Sequence, residues 1–105
     1  MLFEKPKYSA GDIISLKLLS GEEIIGKYIS EDMAEMTLSK PLMLAMTSKG
    51  PAMTPVFMTV DPDKEFSFVK QAIMAKGFTV KEIADQYTFQ TTGIQPVSAG
   101  SVFTG

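Results

Sequence analysis

The chain has 105 residues, is 45% hydrophobic and carries a formal charge of −2 at pH 7. It contains neither His nor Cys, which removes the commonest general base, the thiol nucleophile, the usual zinc ligands and every disulfide. All ten basic residues are Lys, so the bidentate grip of Arg on phosphate or guanine is missing. The composition disfavours an enzyme and a strongly basic nucleic-acid-binding protein, and no cofactor or metal site is expected.

The length predicts a single domain. We assign it to residues 1–92 and interpret residues 93–105, which are small, polar and uncharged, as a mobile tail. No apolar run is long enough to cross a bilayer, and the N-terminus lacks the apolar core of a signal peptide. These features predict no membrane association and a cytoplasmic location.

The first elements in chain order are two strands joined by a tight turn. Apolar and polar residues alternate over residues 13–19, with Ile14 and Leu16 on one face, which is typical of a half-buried strand. Gly21 supplies the positive φ of the turn, and a second strand follows over residues 23–30. Gly26 lies in the middle of that strand, where a glycine marks a sharp bend or a close backbone approach.

The remaining pattern predicts further strands and one late helix. After a turn at 31–34, a third strand runs over 35–46, with a bulge or bend at Pro41, which cannot donate to a ladder. A loop at 48–51, a fourth strand at 53–60, a turn at 61–64 and one or two strands within 65–75 follow. The helix is predicted over about 80–91, with a capping box from Thr79 to Glu82 and an end at Gly93. Its apolar face combines Val80, Ile83, Ala84 and Tyr87.

Residues 16–28 resemble the first sequence motif of Sm and Sm-like proteins. Gly21 matches the turn glycine of that motif, Gly26 its mid-strand glycine, and Ile24 and Tyr28 its apolar positions. The resemblance implies a mostly β fold: a small, strongly bent, five-stranded Sm-like (SH3-like) barrel, here with a C-terminal helix. It also implies edge-to-edge assembly into a homo-oligomeric ring, which would cover exposed strand edges. The chain is similar to divergent Sm-like proteins of tailed phages, which implies the host cytoplasm as its location.

The resemblance also implies an RNA-binding site in the lumen of such a ring. Asp32 matches the acidic residue after the second strand, and Glu35 falls near the position of an RNA-contacting Asn. The nearest match to the second Sm motif ends in Lys76-Gly77, where Lys replaces Arg. The candidate RNA-binding residues are therefore Asp32, Glu35, Lys70, Lys76 and Gly77.

Each candidate has a structural alternative. Lys76-Gly77 also fits a plain strand-to-helix turn, and Glu22, Glu23, Glu31 and the acidic candidates fit solvated hairpin tips. Asp61 and Asp63 indicate a turn rather than a calcium loop, because Pro62 separates them and no Gly or later Glu completes the pattern. For most of the aromatic residues Phe57, Phe66, Phe68 and Phe78, core packing is favoured over base stacking. For the methionines Met43, Met46, Met53 and Met58, we expect core and subunit-interface positions.

Two functional hypotheses remain open. The first is an RNA-associated Sm-like ring. The second is a protein-interaction or structural ring, with protein partners and no nucleic acid, which the low pI of about 5.0, the absence of Arg and the carboxylate of Glu35 favour.

Overall fold

A computed structural model describes residues 7–93. This part of the chain forms six antiparallel strands, a 3-10 turn and one helix. In chain order they are β1 (Ile13–Leu18), β2 (Glu23–Glu31), β3 (Glu35–Thr47), β4 (Gly50–Pro55), β5 (Glu65–Val69), the 3-10 turn (Lys70–Ala72), β6 (Ile73–Phe78) and α1 (Lys81–Thr92). The tail predicted after Gly93 lies outside the described residues.

The strands form one sheet in the order β4-β3-β2-β1-β6, and β5 pairs with β3 beside this path. The long strand β3 bends, so its second half pairs with β4 and its first half pairs with β5. The prediction of a mostly β fold with a C-terminal helix is confirmed. Residues 7–93 contain six strands rather than the predicted five, because the region predicted as the last strand or pair of strands forms two, β5 and β6. Pairing does not run on from β5 to β6, so the sheet is not closed.

Two predicted strand boundaries also differ from the structure. The fourth strand, predicted over 53–60, occupies Gly50–Pro55 because Thr47 pairs directly with Gly50 across a two-residue turn. The region predicted as one or two strands forms β5 and β6, which the 3-10 turn separates.

The bend in the sheet lies where β2 crosses β3. Gly26 is buried, and a Cβ atom built on it would lie 2.9 Å from Leu38 Cδ1 and 3.0 Å from Leu38 Cβ. The pairing register of β2 with β3 shifts at this point, and Lys40 adopts a φ of 50° just before Pro41. The predicted close approach at Gly26 and the bulge at Pro41 are therefore confirmed. The turn residue Gly21 has the predicted positive φ, 107°.

The two faces of the bent sheet bury two apolar clusters. Neighbouring residues of β2 point to opposite faces, so Ile24 joins the inner cluster and Ile25 the outer one. The inner cluster contains Tyr8, Ile14, Leu16, Ile24, Tyr28, Met36 and Leu38. The outer cluster contains Ile25, Leu42, Met53 and Tyr87, and α1 covers it.

Helix α1 is attached to the bulge of β3 through Tyr87. The Tyr87 hydroxyl lies 3.0 Å from the carbonyl oxygen of Ser39 and 2.8 Å from that of Lys40. These distances allow it to bond carbonyls that the bulge takes out of the regular ladder. The side chain is 1% exposed, so this contact is also part of the outer core.

The helix begins within one residue of its predicted start, but the predicted capping box is wrong. Val80 is the N-cap, without a side-chain hydrogen bond, and the Thr79 hydroxyl instead pairs with the Ser15 hydroxyl at 2.7 Å. Val80 is therefore not on the buried helix face and is 63% exposed. A capping box requires the Thr79 hydroxyl to be available to the helix, and strand β1 competes for it.

Replacing Gly26 with Val should lower the free energy of unfolding by about 1–3 kcal/mol, because the new side chain overlaps Leu38. Gly77→Val is the matched control, since a Cβ at Gly77 meets nothing within 4 Å. Urea unfolding of both variants checks this. Equal midpoints for the two variants would show that β2 and β3 do not approach closely at Gly26.

All three tyrosines are buried, and their ionisation should be delayed in the folded chain. Burial raises the pKa of Tyr87 to about 12, and burial together with the Glu31 carboxylate raises the pKa of Tyr28 to about 12. Because folding favours the protonated phenols, their contribution to stability is complete below about pH 10 and is lost as the pH rises towards 12. Tyrosinate absorbance should therefore appear later in native than in urea-unfolded protein. Coincident titration curves would contradict the packing of α1.

Candidate functional site

The turn between β2 and β3 meets the 3-10 turn at one corner of the sheet. The Lys70 backbone N–H donates to the Ala34 carbonyl at 2.8 Å, which continues the pairing of β3 with β5. Residues more than thirty positions apart in sequence are thereby brought together. This corner contains three of the predicted site residues, Asp32, Glu35 and Lys70.

Asp32 fixes the conformation of the β2–β3 turn. Its Oδ1 accepts hydrogen bonds from the backbone N–H groups of Ala34 and Glu35, both at 2.8 Å. These two bonds lower the pKa of the Asp32 carboxyl below its usual value. Glu35 is exposed at the first position of β3, opposite Val69. The turn-forming role proposed as an alternative for Asp32 is confirmed.

Glu31 is the centre of the polar contacts at this corner. Its Oε1 lies 2.7 Å from Lys70 Nζ, and its Oε2 accepts a hydrogen bond from the Tyr28 hydroxyl at 3.0 Å. The Glu31 side chain is only 14% exposed, so its expected position as a solvated hairpin tip is wrong. Burial acts to raise its pKa, but the bonds from Lys70 and Tyr28 and the charges of Lys70 and Lys76 outweigh burial and lower it.

Lys76 and Gly77 lie inside β6, opposite Leu16 and Ser15 of β1. Their alternative role as a strand-to-helix turn is therefore wrong, because residues 79–80 make that connection. Lys76 is exposed, and its charge acts on Glu31. The structure thus groups Asp32, Lys70 and Lys76 around a residue, Glu31, that was not a sequence candidate.

A second β-bulge explains why Glu31 was missed. The register of β2 with β3 shifts between Tyr28 and Ser30, so the alternation of faces is displaced by one residue beyond Tyr28. Strict alternation from Tyr28 would turn Glu31 to the opposite face. The sequence contains a weak signal, since Glu31 is followed directly by the turn-forming Asp32.

Carboxylates outnumber ammonium groups at this corner. Glu31, Asp32 and Glu35 lie at this corner with Lys70 and Lys76, and Lys70 is already in an ion pair with Glu31. A phosphate entering this corner would have to compete with Glu31 for Lys70. The arrangement is suited to holding two loops together rather than to attracting an anion.

A shallow cavity of about 210 Å³ lies beside the corner, across β1 and β6. Lys17 and Lys76 both contribute to it, together with Glu23. Its full lining is Ser15, Leu16, Lys17, Glu23, Ala75, Lys76 and Gly77.

The other sequence candidates have structural roles. Asp61 Oδ1 accepts the Asp63 backbone N–H at 2.9 Å, which confirms a turn, and residues 7–93 contain no group of three acidic side chains placed to hold a metal. Phe57 and Phe78 are 46% and 54% exposed, so the core packing favoured for most of the four aromatic residues does not apply to these two. Phe57 packs edge-on against Phe66, with ring centroids 5.2 Å apart, and Phe68 lies against the inner cluster.

Methionine side chains contribute much of the exposed apolar surface. Met53 is buried and Met43 packs on the inner cluster, as expected for core positions. Met46 and Met58 are 78% and 100% exposed, and their expected role at a subunit interface stays a prediction. Met33 and Met74 are also exposed. Such adaptable apolar side chains are common at protein-binding surfaces.

Strands β5 and β6 each present a backbone edge that faces away from its paired neighbour. Hydrogen bonds join Lys70 to Ala34 and Lys40 to Lys64, and alternation between them turns the N–H and C=O groups of Glu65, Ser67 and Val69 outward from β3.

Strand β6 also has backbone groups that face away from its paired neighbour. The Thr79 N–H donates to the Ile13 carbonyl at 3.1 Å, so the N–H and C=O groups of Lys76 and Phe78 face away from β1. An edge of this kind is a template for pairing with another strand.

No protein-family model matches the chain, and a comparison with curated proteins also finds no match. Among residues 7–93, the helix α1 is too short and too polar to cross a membrane.

The ion pair between Glu31 and Lys70 should show a coupling energy of about 1 kcal/mol in a double-mutant cycle with Glu31→Gln and Lys70→Gln. Because the pKa of Glu31 is lowered by folding, this contribution is present above the unfolded carboxyl pKa and is lost as the pH falls through the folded value.

The exposed pair of Lys81 and Asp85 is the control within the same chain, and its coupling should not exceed about 0.5 kcal/mol. Urea unfolding at neutral and acid pH measures both cycles. A coupling at Glu31 no larger than the control, or unchanged at acid pH, would contradict the partly buried ion pair.

Proposed function

We propose that this chain is an Sm-like subunit that assembles with copies of itself into a ring and acts as a protein-interaction or structural ring without enzymatic activity. Support for the Sm-like class comes from the motif over residues 16–28 and from Gly26, which allows the bend that a small barrel requires. The 3-10 turn before the last strand and the pairing of that strand with β1 are compatible with a barrel.

The ion pair of Glu31 with Lys70 is the main observation that argues against RNA binding. Lys70 would have to supply positive charge to an RNA backbone, but its ammonium group is 2.7 Å from a largely buried carboxylate. Asp32 and Glu35 add negative charge beside it, and the whole chain has a net charge of −2. Nucleic-acid affinity depends mainly on unpaired Lys and Arg near phosphates. Of the two lysines near Glu31, Lys70 is already paired, which leaves Lys76.

Self-assembly is supported by the two outward strand edges. β5 and β6 are different surfaces, so pairing of β5 in one subunit with β6 in the next is a head-to-tail contact, and such contacts close into rings when the rotation permits. Each edge has exposed apolar side chains nearby, including Val69 beside β5 and Met74 and Phe78 on β6. Covering them would add hydrophobic stabilisation to the strand pairing.

RNA binding is the second candidate function, and one observation favours it. Lys17 and Lys76 line the same cavity of about 210 Å³, and neither belongs to the Glu31–Lys70 ion pair. An oligonucleotide phosphate placed there would meet two ammonium groups, with Glu23 as the opposing charge.

A fluorescence titration with uridine-rich and adenine-rich RNAs over a salt series separates the two functions. We expect no binding that differs between the two RNAs, and no change on replacing Lys76 with Gln. Tight, sequence-dependent binding that weakens steeply with salt and is lost in Lys76→Gln would instead establish the RNA function.

Ser67→Pro should reduce the assembled mass to that of a single subunit, 11.5 kDa. The Ser67 N–H faces away from β3, so proline removes a donor from the outer edge without removing a bond to β3. Ser67→Ala is the control, because it also loses the hydroxyl contact with Thr37 but keeps the N–H. Light scattering after gel filtration measures the masses. Equal masses for the two variants would exclude pairing through β5.

A further inference from the structure

We propose that the outer edge of β4 is closed to strand addition and that helix α1 is part of the closure, so that a second copy of the chain pairs with β5 and not with β4. The consequence for assembly depends on the proposed function, whereas the closure itself depends only on the contacts of β4. Strands β4 and β5 lie along the same side of β3, and the partner's strand would pair with β5 alone.

Two prolines remove donors from the outer edge of β4. Pro51 lies opposite Met46, and Pro55 lies opposite Leu42. Since proline has no N–H, these positions are the ones whose backbone groups face away from β3, and Ala52 and Thr54 face towards it. A strand laid beside β4 would therefore find no donor at either proline.

The outward position between the two prolines is Met53, and its acceptor is already in use. The Gln90 side-chain amide donates to the Met53 carbonyl at 2.9 Å. Gln90 thus occupies the site where the N–H of an added strand would bond. The outer edge of β4 keeps one donor, the Met53 N–H, and the carbonyl groups of the two prolines, which is too few donors for a regular ladder with an added strand.

The position of Gln90 is fixed by the packing of α1 on the outer cluster. Tyr87, one turn earlier, is buried and bonded to the bulge of β3, and Met53 belongs to the same cluster. Lys40 Nζ lies 3.4 Å from the Thr91 carbonyl at the end of the helix. The same helix that completes the outer core therefore lies against the edge of β4.

The β5 edge differs in each of these respects. Its outward residues Glu65, Ser67 and Val69 include no proline, and the hydrogen bonds of Tyr87 and Gln90 in α1 are to Ser39, Lys40 and Met53 instead. A partner strand can therefore pair over the short length of β5 but stops at β4. Proteins commonly use prolines and covering elements to stop unwanted edge-to-edge growth.

Substitutions that restore hydrogen-bonding groups on the outer edge of β4 should produce larger assemblies than the unmodified chain forms. The test variant combines Pro51→Thr, Pro55→Thr and Gln90→Ala, which restores two outward donors and frees the Met53 carbonyl. We expect the mass-average molar mass measured by light scattering to at least double and to rise with concentration. The control is Gln86→Ala, which removes an exposed glutamine amide one turn earlier in α1 and should leave the mass unchanged.

Far-UV circular dichroism and thermal unfolding establish that the variants are folded. If the triple variant does not fold, the double variant Pro51→Thr with Gln90→Ala retains Pro55 and should still gain mass over the control. A folded variant whose mass equals that of the unmodified chain at every concentration would overturn the closure. Failure of self-assembly is distinguishable, since a monomeric unmodified chain would refute the ring, while a gain of mass in the triple variant would still support a closed β4.

Discussion

The close approach of Gly26 to Leu38 is the constraint on which the rest of this fold depends. A side chain at position 26 would lie within 3.0 Å of Leu38, so only glycine lets β2 cross β3 at this angle without displacing the inner core. The backbone bulges at Lys40 at the same crossing, and the Tyr87 hydroxyl lies 2.8 Å from the Lys40 carbonyl oxygen. The outer cluster and α1 therefore contact β3 where the missing Cβ atom lets the two strands approach.

The polar corner and the strand edges are consequences of the same bend. Because β3 changes direction near Pro41, its two halves bond different strands, and the connection after β5 returns Lys70 to the β2–β3 turn. There it meets Glu31, which a second bulge has turned inward. Residues 31 and 70, near the predicted ligand site, thus hold two loops together, and within residues 7–93 the outward backbone groups of β5 and β6 pair with no further strand.

Much of the first half of the fold could be predicted from local patterns. Alternation over β1 and β2, the positive φ of Gly21 and the bend at Gly26 each depend on a few neighbouring residues, and all were predicted. The errors arose where distant residues compete. Thr79 bonds Ser15 rather than the helix, and pairing partners determine where β4 ends. Glu31 was missed because a bulge interrupts the period of two on which the prediction depends.

Amide hydrogen exchange measures whether subunits pair through the outward groups of β5 and β6, as we propose. In a single chain the amides of Ser67, Lys76 and Phe78 face away from their strand partners and should exchange rapidly. If subunits pair in this way, exchange of these three amides slows as protein concentration rises, while the amide of Ser48, at the exposed tip of the β3–β4 turn, keeps exchanging rapidly. Rapid exchange of Ser67, Lys76 and Phe78 at every concentration would contradict assembly through these strands.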